Sequence, residues 1–340
     1  MNKVPFLAVW KKVLTGKPPM LSIEITRECP LHCPGCYAYE PNHLGGPVTL
    51  RQLSDSRGDQ LVDGIIQLAK QQRPLQISIV GGEPLVRHRE LSRVLPELSR
   101  MGIFTLVVTS AVIPIPLEWK SIPRVRIAVS VDGLQEDHDR RRHPATYHRI
   151  LNNIKDHTVD VSWVITAQQM QRPGYLDEYL KFWTTRPGIN NIWFSIYTPQ
   201  IGERSDEMLT FEQRKELASM LPELKRKYPA LLLIGGMEEA IMAPPSNPAE
   251  CLFSKMSVNY TADLKTRIEP CFFGGTPDCS QCGCAVSTSL HWIGKKKLFG
   301  PLTANHVIRT SIAIGSFVNR LHPTELQGVR WSNTTPDEVS

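Results

Sequence analysis

No run of eighteen apolar residues occurs in this chain, which leaves it without a segment able to span a bilayer as a helix. A large excess of one charge is also missing. Its 39 Lys and Arg stand against 33 Asp and Glu, a formal +6 over 340 residues, and nothing in that balance calls for a nucleic-acid partner. Low-complexity tracts and internal repeats are absent, and an apolar content of 41% supplies a full core, so disorder is excluded as the main state. The N-terminus MNKVPFLAVWKKVL has only a short apolar patch, broken by Lys11 and Lys12, with no small-residue cleavage site behind it. No secretory signal is expected, and the cytoplasm is the expected compartment. What the chain does hold is clustered cysteine: three within Cys29–Cys36 and five within Cys251–Cys284. Without export these do not read as a disulfide framework, and two metal sites are the economical explanation.

Between residues 21 and 234, short Val/Ile-rich runs alternate with helical patterns, the signature of repeated βα units around a parallel sheet. The expected strands are Leu21–Thr26, Leu75–Val80, Ile103–Val108, Val125–Val131, Val159–Ala167 and Asn191–Tyr197. Two helices are expected to open on the capping boxes Thr49-Leu50-Arg51-Gln52 and Thr210-Phe211-Glu212-Gln213. In the second, Leu217, Met220, Leu221, Leu224 and Tyr228 share one face and read as core packing. Three prolines in Ala243–Pro248 end the pattern, so the boundaries fall as an N-terminal extension (1–20), a barrel (21–243), a Cys-rich region (244–290) and a basic tail (291–340).

Cys29-Pro30-Leu31-His32-Cys33-Pro34-Gly35-Cys36 places three thiols at C-x3-C-x2-C in the loop after the first strand. A structural zinc or an ordinary iron–sulfur cluster takes four protein ligands, whereas three leave one metal coordination site open. His32 as a fourth ligand would have to reach the same metal from a position adjacent to Cys33. A zinc knuckle with a distant fourth ligand is the other alternative.

This motif resembles the hallmark of the radical S-adenosylmethionine (radical SAM) superfamily, and the sequences that follow resemble its further motifs in order. Gly81-Gly82-Glu83-Pro84 ends the second strand, where the resemblance implies a site for the methionine amino group. There the paired glycines would let the backbone approach the ligand, and Glu83 would accept hydrogen bonds from the ammonium. Thr109 and Ser110 after the third strand, and Ser130 and Asp132 after the fourth, resemble positions near the cofactor ribose. His138-Asp139-Arg140-Arg141-Arg142 resembles the HD-x-x-R segment, with Arg142 the candidate partner of the cofactor carboxylate and Arg140 and Arg141 readable as a solvated basic loop. The family's usual aromatic residue before the third cysteine is Gly35 here, and Tyr37 is the candidate to replace it at the adenine. The resemblance implies an α/β fold, a partial (β/α)6 TIM-like barrel with its site at the carboxyl ends of the strands. It implies a [4Fe–4S] cluster that binds S-adenosylmethionine, one-electron cleavage to a 5′-deoxyadenosyl radical, and hydrogen-atom abstraction from a substrate. A reductant such as flavodoxin or ferredoxin is the implied partner.

In the second group, Ser257–Tyr260 and Thr266–Ile268 are expected to pair as a hairpin about Thr261-Ala262-Asp263, with Cys271 behind it. This resembles the opening of the SPASM or twitch auxiliary-cluster regions of radical SAM enzymes, although Cys279-Ser280-Gln281-Cys282-Gly283-Cys284 departs from the full pattern. One second [4Fe–4S] cluster on four of Cys251, Cys271, Cys279, Cys282 and Cys284 fits, with structural zinc or unligated thiols as alternatives. Beyond Lys295-Lys296-Lys297, the run Val307, Ile308, Ile312, Ile314, Phe317, Val318 and Leu321 suits an amphipathic helix. It is expected either to pack on the barrel or, through 295–321, to touch a lipid surface or dock an anionic partner. The expected function is a radical SAM enzyme acting on a peptide, small metabolite or lipid. The rival is a non-catalytic zinc or iron–sulfur scaffold, which has no need of a GGEP beside a three-thiol loop.

Overall fold

A computed structural model describes residues 6–44, 47–144, 146–233 and 236–321. Residues 322–340 of the basic tail, Glu325 and Arg330 among them, lie outside the described residues. The chain opens with α1 (Phe6–Leu14) and β1 (Met20–Glu24), then α2 (Gly58–Gln72), β2 (Gln76–Val80), α3 (His88–Arg100) and β3 (Phe104–Thr109). It continues through β4 (Val125–Ser130), α4 (Gln135–Arg141), α5 (Tyr147–Ile154), β5 (Val159–Ile165), α6 (Ala167–Met170), α7 (Tyr175–Thr184) and β6 (Ile189–Ile196). After α8 (Phe211–Lys227), α9 (Met237–Met242) and α10 (Leu252–Met256) come β7 (Ser257–Tyr260), α11 (Ala285–Lys295), β8 (Lys297–Phe299), β9 (Leu302–Thr303) and α12 (Ala304–Leu321).

The sheet order is β6-β5-β4-β3-β2-β1-β7, and every pairing in it is parallel. The six expected strands all form, within a residue or two of their expected ends. Their alternate residues, such as Leu21, Ile23, Ile77, Ile79, Val107, Val129 and Val161, have essentially no exposed surface and form one core with the helices. Each such burial contributes about 1.5–3 kcal/mol. The result is the partial TIM-like barrel.

Three elements depart from expectation. The Thr49 capping box closes a single 3-10 turn, Leu50–Gln52, rather than opening a helix. α2 starts at Gly58, whose N–H donates to Glu90 Oε1 of α3 at 3.1 Å, so its N-terminus is capped from a distant part of the chain. Residues Phe6–Leu14, read as an extension, are helical and pack against α12. Ser257–Tyr260 does form the expected turn, with an antiparallel bridge between Tyr260 and Arg267. It also lies parallel beside β1, Met20 opposite Ser257, and so carries the sheet past the proline-rich boundary.

The capping box at Thr210 is present, and Leu217, Leu221, Leu224 and Tyr228 of α8 are buried as expected. α12 forms over the expected segment: Ile308 and Ile312 pack on Val13, Leu252 and Met256, while Ile314, Phe317 and Val318 are exposed. No described helix is long and apolar enough to cross a membrane.

Candidate functional site

The carboxyl end of β1 is tied down before the first cysteine. Asp55 Oδ2 accepts from the Thr26 hydroxyl at 2.7 Å and the Arg27 N–H at 2.8 Å, and its Oδ1 accepts from Arg27 Nε at 2.9 Å. Arg87 Nη2 holds Glu28 Oε1 at 2.7 Å. The chain therefore enters the cysteine loop from a fixed position. Cys29, Cys33 and Cys36 follow, partly exposed, with Cys36 at the start of the 3-10 turn Tyr37–Tyr39. Burial pushes the Cys29 thiol up to about 11 and also raises Cys33 and Cys36. At neutral pH the three are protonated, so loss of their protons accompanies metal binding.

The Gly81-Gly82-Glu83-Pro84 segment docks on this loop. Gly82 N–H donates to Thr26 O and Glu83 N–H to Glu28 O, each at 2.8 Å. A Cβ on Gly81 would stand 2.6 Å from Thr26 O, and one on Gly82 would stand 2.3 Å from Glu28 O. The paired glycines thus admit the β1 loop rather than serving only the approach of a ligand. Glu83 also differs from expectation. Its carboxylate is fully buried: Oε1 accepts from Leu85 N–H at 2.9 Å and from the Thr109 hydroxyl, while Oε2 accepts from Ser110 N–H at 2.8 Å and the Ser110 hydroxyl. A carboxylate offers about four lone-pair sites. All four are taken, with the Thr109 and Ser110 hydroxyls donating to Glu83. Pro84, buried, starts the next 3-10 turn.

Asp132, expected near the ribose, is the hub of a buried ion network. Its Oδ2 accepts from Arg141 Nη1 at 2.5 Å and Arg142 Nε at 2.7 Å, and its Oδ1 from Val164 N–H at 3.0 Å. Burial opposes its charge, yet Arg142 and Arg141 outweigh that and hold the carboxyl well below the usual range. Arg141, read as a solvated residue, is only 13% exposed and makes a bidentate pair with Glu207 at 2.8 and 2.9 Å. Glu207 carries no local signal and sequence reasoning missed it. Ser130, partly buried, ends β4. His138 has its pKa lowered by burial to about 4 and is neutral, its Nδ1 facing the Asp132 N–H at 3.3 Å. Asp139 Oδ1 receives the N–H groups of Thr146 and Tyr147 at 2.7 and 2.9 Å. Both therefore shape the turn that presents Arg142, whose charge is felt by Cys33 and Cys36.

Tyr37 turns elsewhere. Its ring lies 5.5–5.7 Å from the rings of His43, Phe272 and Phe273, so the expected adenine aromatic bridges the two cysteine regions. His43 completes the bridge: Nδ1 meets the Phe273 carbonyl at 2.8 Å and Nε2 meets Glu24 Oε1 at 2.8 Å. Both partners are acceptors, so both ring nitrogens must carry protons. Burial opposes that charge, but Glu24 outweighs it and raises the His43 pKa above 6.5. The pair's stabilisation is therefore complete below about pH 6.5, the unfolded value, and is lost as pH rises through the folded value. Melting temperature should fall across that interval, and His43→Gln should remove this component of the pH dependence.

Cys251, Cys271, Cys279, Cys282 and Cys284 all line one cavity walled by Phe253, Phe272 and Phe273. Cys251 and Cys284 sit at the N-caps of α10 and α11, and Ser287 N–H reaches Cys284 Sγ at 3.5 Å. Burial pushes Cys279 up to about 12 and raises Cys271, Cys282 and Cys284. Among the described residues no three His, Cys, Asp or Glu side chains converge as ligands of a single metal ion. A cubane takes one thiolate at each of several corners and does not require that convergence. The guanidinium of Arg214 offers an independent test of fit. It is 5% exposed, donates to the carbonyls of Gln281, Cys282 and Ile241, and its Nε has no partner. A buried cation without a carboxylate partner suits a thiolate-rich, anionic group.

Comparison with known proteins follows this geometry. Residues 23–167 match the radical SAM superfamily. The PqqA peptide cyclase of Rhizobium meliloti is 24% identical over 268 residues, covering 75% of this chain and 68% of that protein. The PqqA peptide cyclase of Xanthomonas oryzae is 29% identical over 101 residues, only 25% of its length. Among solved structures, Streptococcus suis SuiB bound to its precursor peptide SuiA aligns with a TM-score of 0.56 at 15% identity, covering 78% of this chain and 62% of that one. Native anSMEcpe with bound AdoMet gives 0.56 at 13% identity, covering 89% and 97%. At those identities the structures speak for the fold, and the family match speaks for one part of the chain: residues 23–167 form a radical SAM domain.

Proposed function

We propose that Cys29, Cys33 and Cys36 hold a [4Fe–4S] cluster and that the protein uses it with S-adenosylmethionine to abstract a hydrogen atom from a peptide. The observation that carries this is the meeting of the three-thiol loop, the Gly81–Pro84 segment and Arg142 at the carboxyl ends of β1, β2 and β4. When bound, the cluster supplies the electron that cleaves the sulfonium to a 5′-deoxyadenosyl radical. The chain's own residues position and shield. Asp132 aims Arg142, whose remaining guanidinium donors are placed for the cofactor carboxylate. Glu83 fixes Ser110, Thr109 and the Gly81-Gly82 backbone, so its part is positioning. Ser130, partly buried at the carboxyl end of β4, would remain as the ribose candidate. A flavodoxin or ferredoxin fits as electron donor, and eight free thiols fit the reducing cytoplasm.

Four of the five C-terminal cysteines are proposed to hold a second [4Fe–4S] cluster, with Arg214 as its nearby counter-charge. A peptide is the proposed substrate because the relative that matches over 75% of the chain is a PqqA peptide cyclase. The test uses anaerobically reconstituted protein, reductant, S-adenosylmethionine and perdeuterated candidate peptides. Deuterium is expected in 5′-deoxyadenosine. Label-free 5′-deoxyadenosine with every peptide, but labelled product from a deuterated metabolite or lipid, would reject the peptide reading.

A further inference from the structure

Between α10, β7 and α12 lies a cleft of about 330 Å³. This lies within the range of small-molecule sites, roughly 300–1,000 Å³. Among the described residues its charged lining is all of one sign: Lys255, Arg267, Arg309 and Arg320 line it with Ser254 and Ser257, and no described Asp or Glu does. Arg267 is tied to Glu269 at 3.4 Å, and Arg309 donates to Asn305 Oδ1 at 3.0 Å and to the Ala249 carbonyl at 2.8 Å. The contacts of Arg309 fix its guanidinium through neutral acceptors, so they leave its charge uncompensated. Lys255, partly buried, is repelled by Arg309, and burial together with that repulsion lowers its pKa.

Like charges gathered in a half-enclosed cleft repel one another, and an anion relieves the strain. One carboxylate would offset one cation. A phosphate group carries about −1.5 to −2 with three strong acceptor oxygens, which matches the surplus better, and guanidinium groups bind it through paired N–H donors. Phe317, 61% exposed, gives the cleft an apolar wall for the organic part of such a molecule. Ser254 also lines the cysteine cavity, so α10 separates the two sites.

We propose that this cleft binds a phosphate-bearing organic ligand through Lys255, Arg309 and Arg320. The same headgroup chemistry occurs in soluble phosphate esters and in anionic phospholipids, and Ile314 and Val318 stand exposed on the same helix.

The test uses full-length reconstituted protein at constant ionic strength, with pyrophosphate as the soluble probe. Pyrophosphate should bind by calorimetry and raise the melting temperature. Arg309→Gln and Arg320→Gln should each weaken binding about tenfold, with circular dichroism unchanged. Lys255→Met should weaken binding while raising ligand-free stability, which a purely structural lysine would not do. Phosphatidylglycerol vesicles, compared with phosphatidylcholine, separate the sources. Vesicle binding lost in Arg320→Gln assigns a lipid headgroup, and pyrophosphate binding without vesicle binding assigns a soluble ester. Absence of both, or binding indifferent to all three substitutions, overturns the proposal.

Discussion

Replacing Cys29, Cys33 and Cys36 together by Ala should abolish 5′-deoxyadenosine formation and leave about half of the iron. Wild type carrying two cubanes would hold about eight irons per chain, four in each. The triple variant should keep the C-terminal cluster, whose electron paramagnetic resonance signal after reduction is unmoved by S-adenosylmethionine, because the only site open to that cofactor is gone. Conversely, Ala at Cys279, Cys282 and Cys284 should remove this remaining signal and loosen the segment around the cavity, while the first cluster still cleaves the cofactor. One zinc and no iron in the Cys29/Cys33/Cys36 variant would make the second site structural. Unchanged cleavage in that variant would overturn the assignment of the first.

The second large effect is expected at Asp132, which is 1% exposed. Asp132→Ala leaves Arg142 buried without its anion and the Val164 N–H without its acceptor, at a cost of about 3–5 kcal/mol for the broken ion pair. Arg141 retains Glu207, so the loss should concentrate on Arg142 and on the affinity for S-adenosylmethionine. Asp132→Asn restores the neutral contact to Val164 without the charge and should recover part of the stability but little of the affinity. The depressed pKa of Asp132 means that its contribution is lost only as pH falls far into the acid range, whereas that of His43 is lost as pH rises. Thermal melts and cofactor titrations of both variants check this. Equal losses in stability and affinity on Asp132→Asn would reduce the residue to a packing role.

The sheet was largely legible because Val, Ile and Leu recur at alternate positions of its short strands, the positions that bury in the core. α2 was misplaced because its cap, Glu90, comes from another helix, and capping-box logic sees only neighbours in sequence. α1 was hidden by Lys11 and Lys12, which interrupt its apolar residues while leaving its packing on α12 intact. The cysteines were legible as a group because spacing alone defines them. Glu83, Asp132 and Arg141 were legible as positions, but their contacts within the chain were not: these depend on Ser110, Glu207 and Val164, which no motif connects to them. The ring contacts of Tyr37 were hidden for the same reason, since Phe272 and Phe273 lie far along the chain.

The parallel pairing of β7 with β1 sets an order of assembly. During synthesis β1 emerges first and finds β2 soon afterwards, but its other edge waits for Ser257–Tyr260, made after every other strand of the sheet. Such distant pairings form slowly, and an open strand edge is a template for wrong partners in the meantime. The strand that feeds the Cys29 loop is thus finished only once the ribosome has also made Cys251. A nascent chain has the means to complete its first cysteine site only when the second has begun to appear, so both clusters would be loaded into a protein already committed to its final sheet.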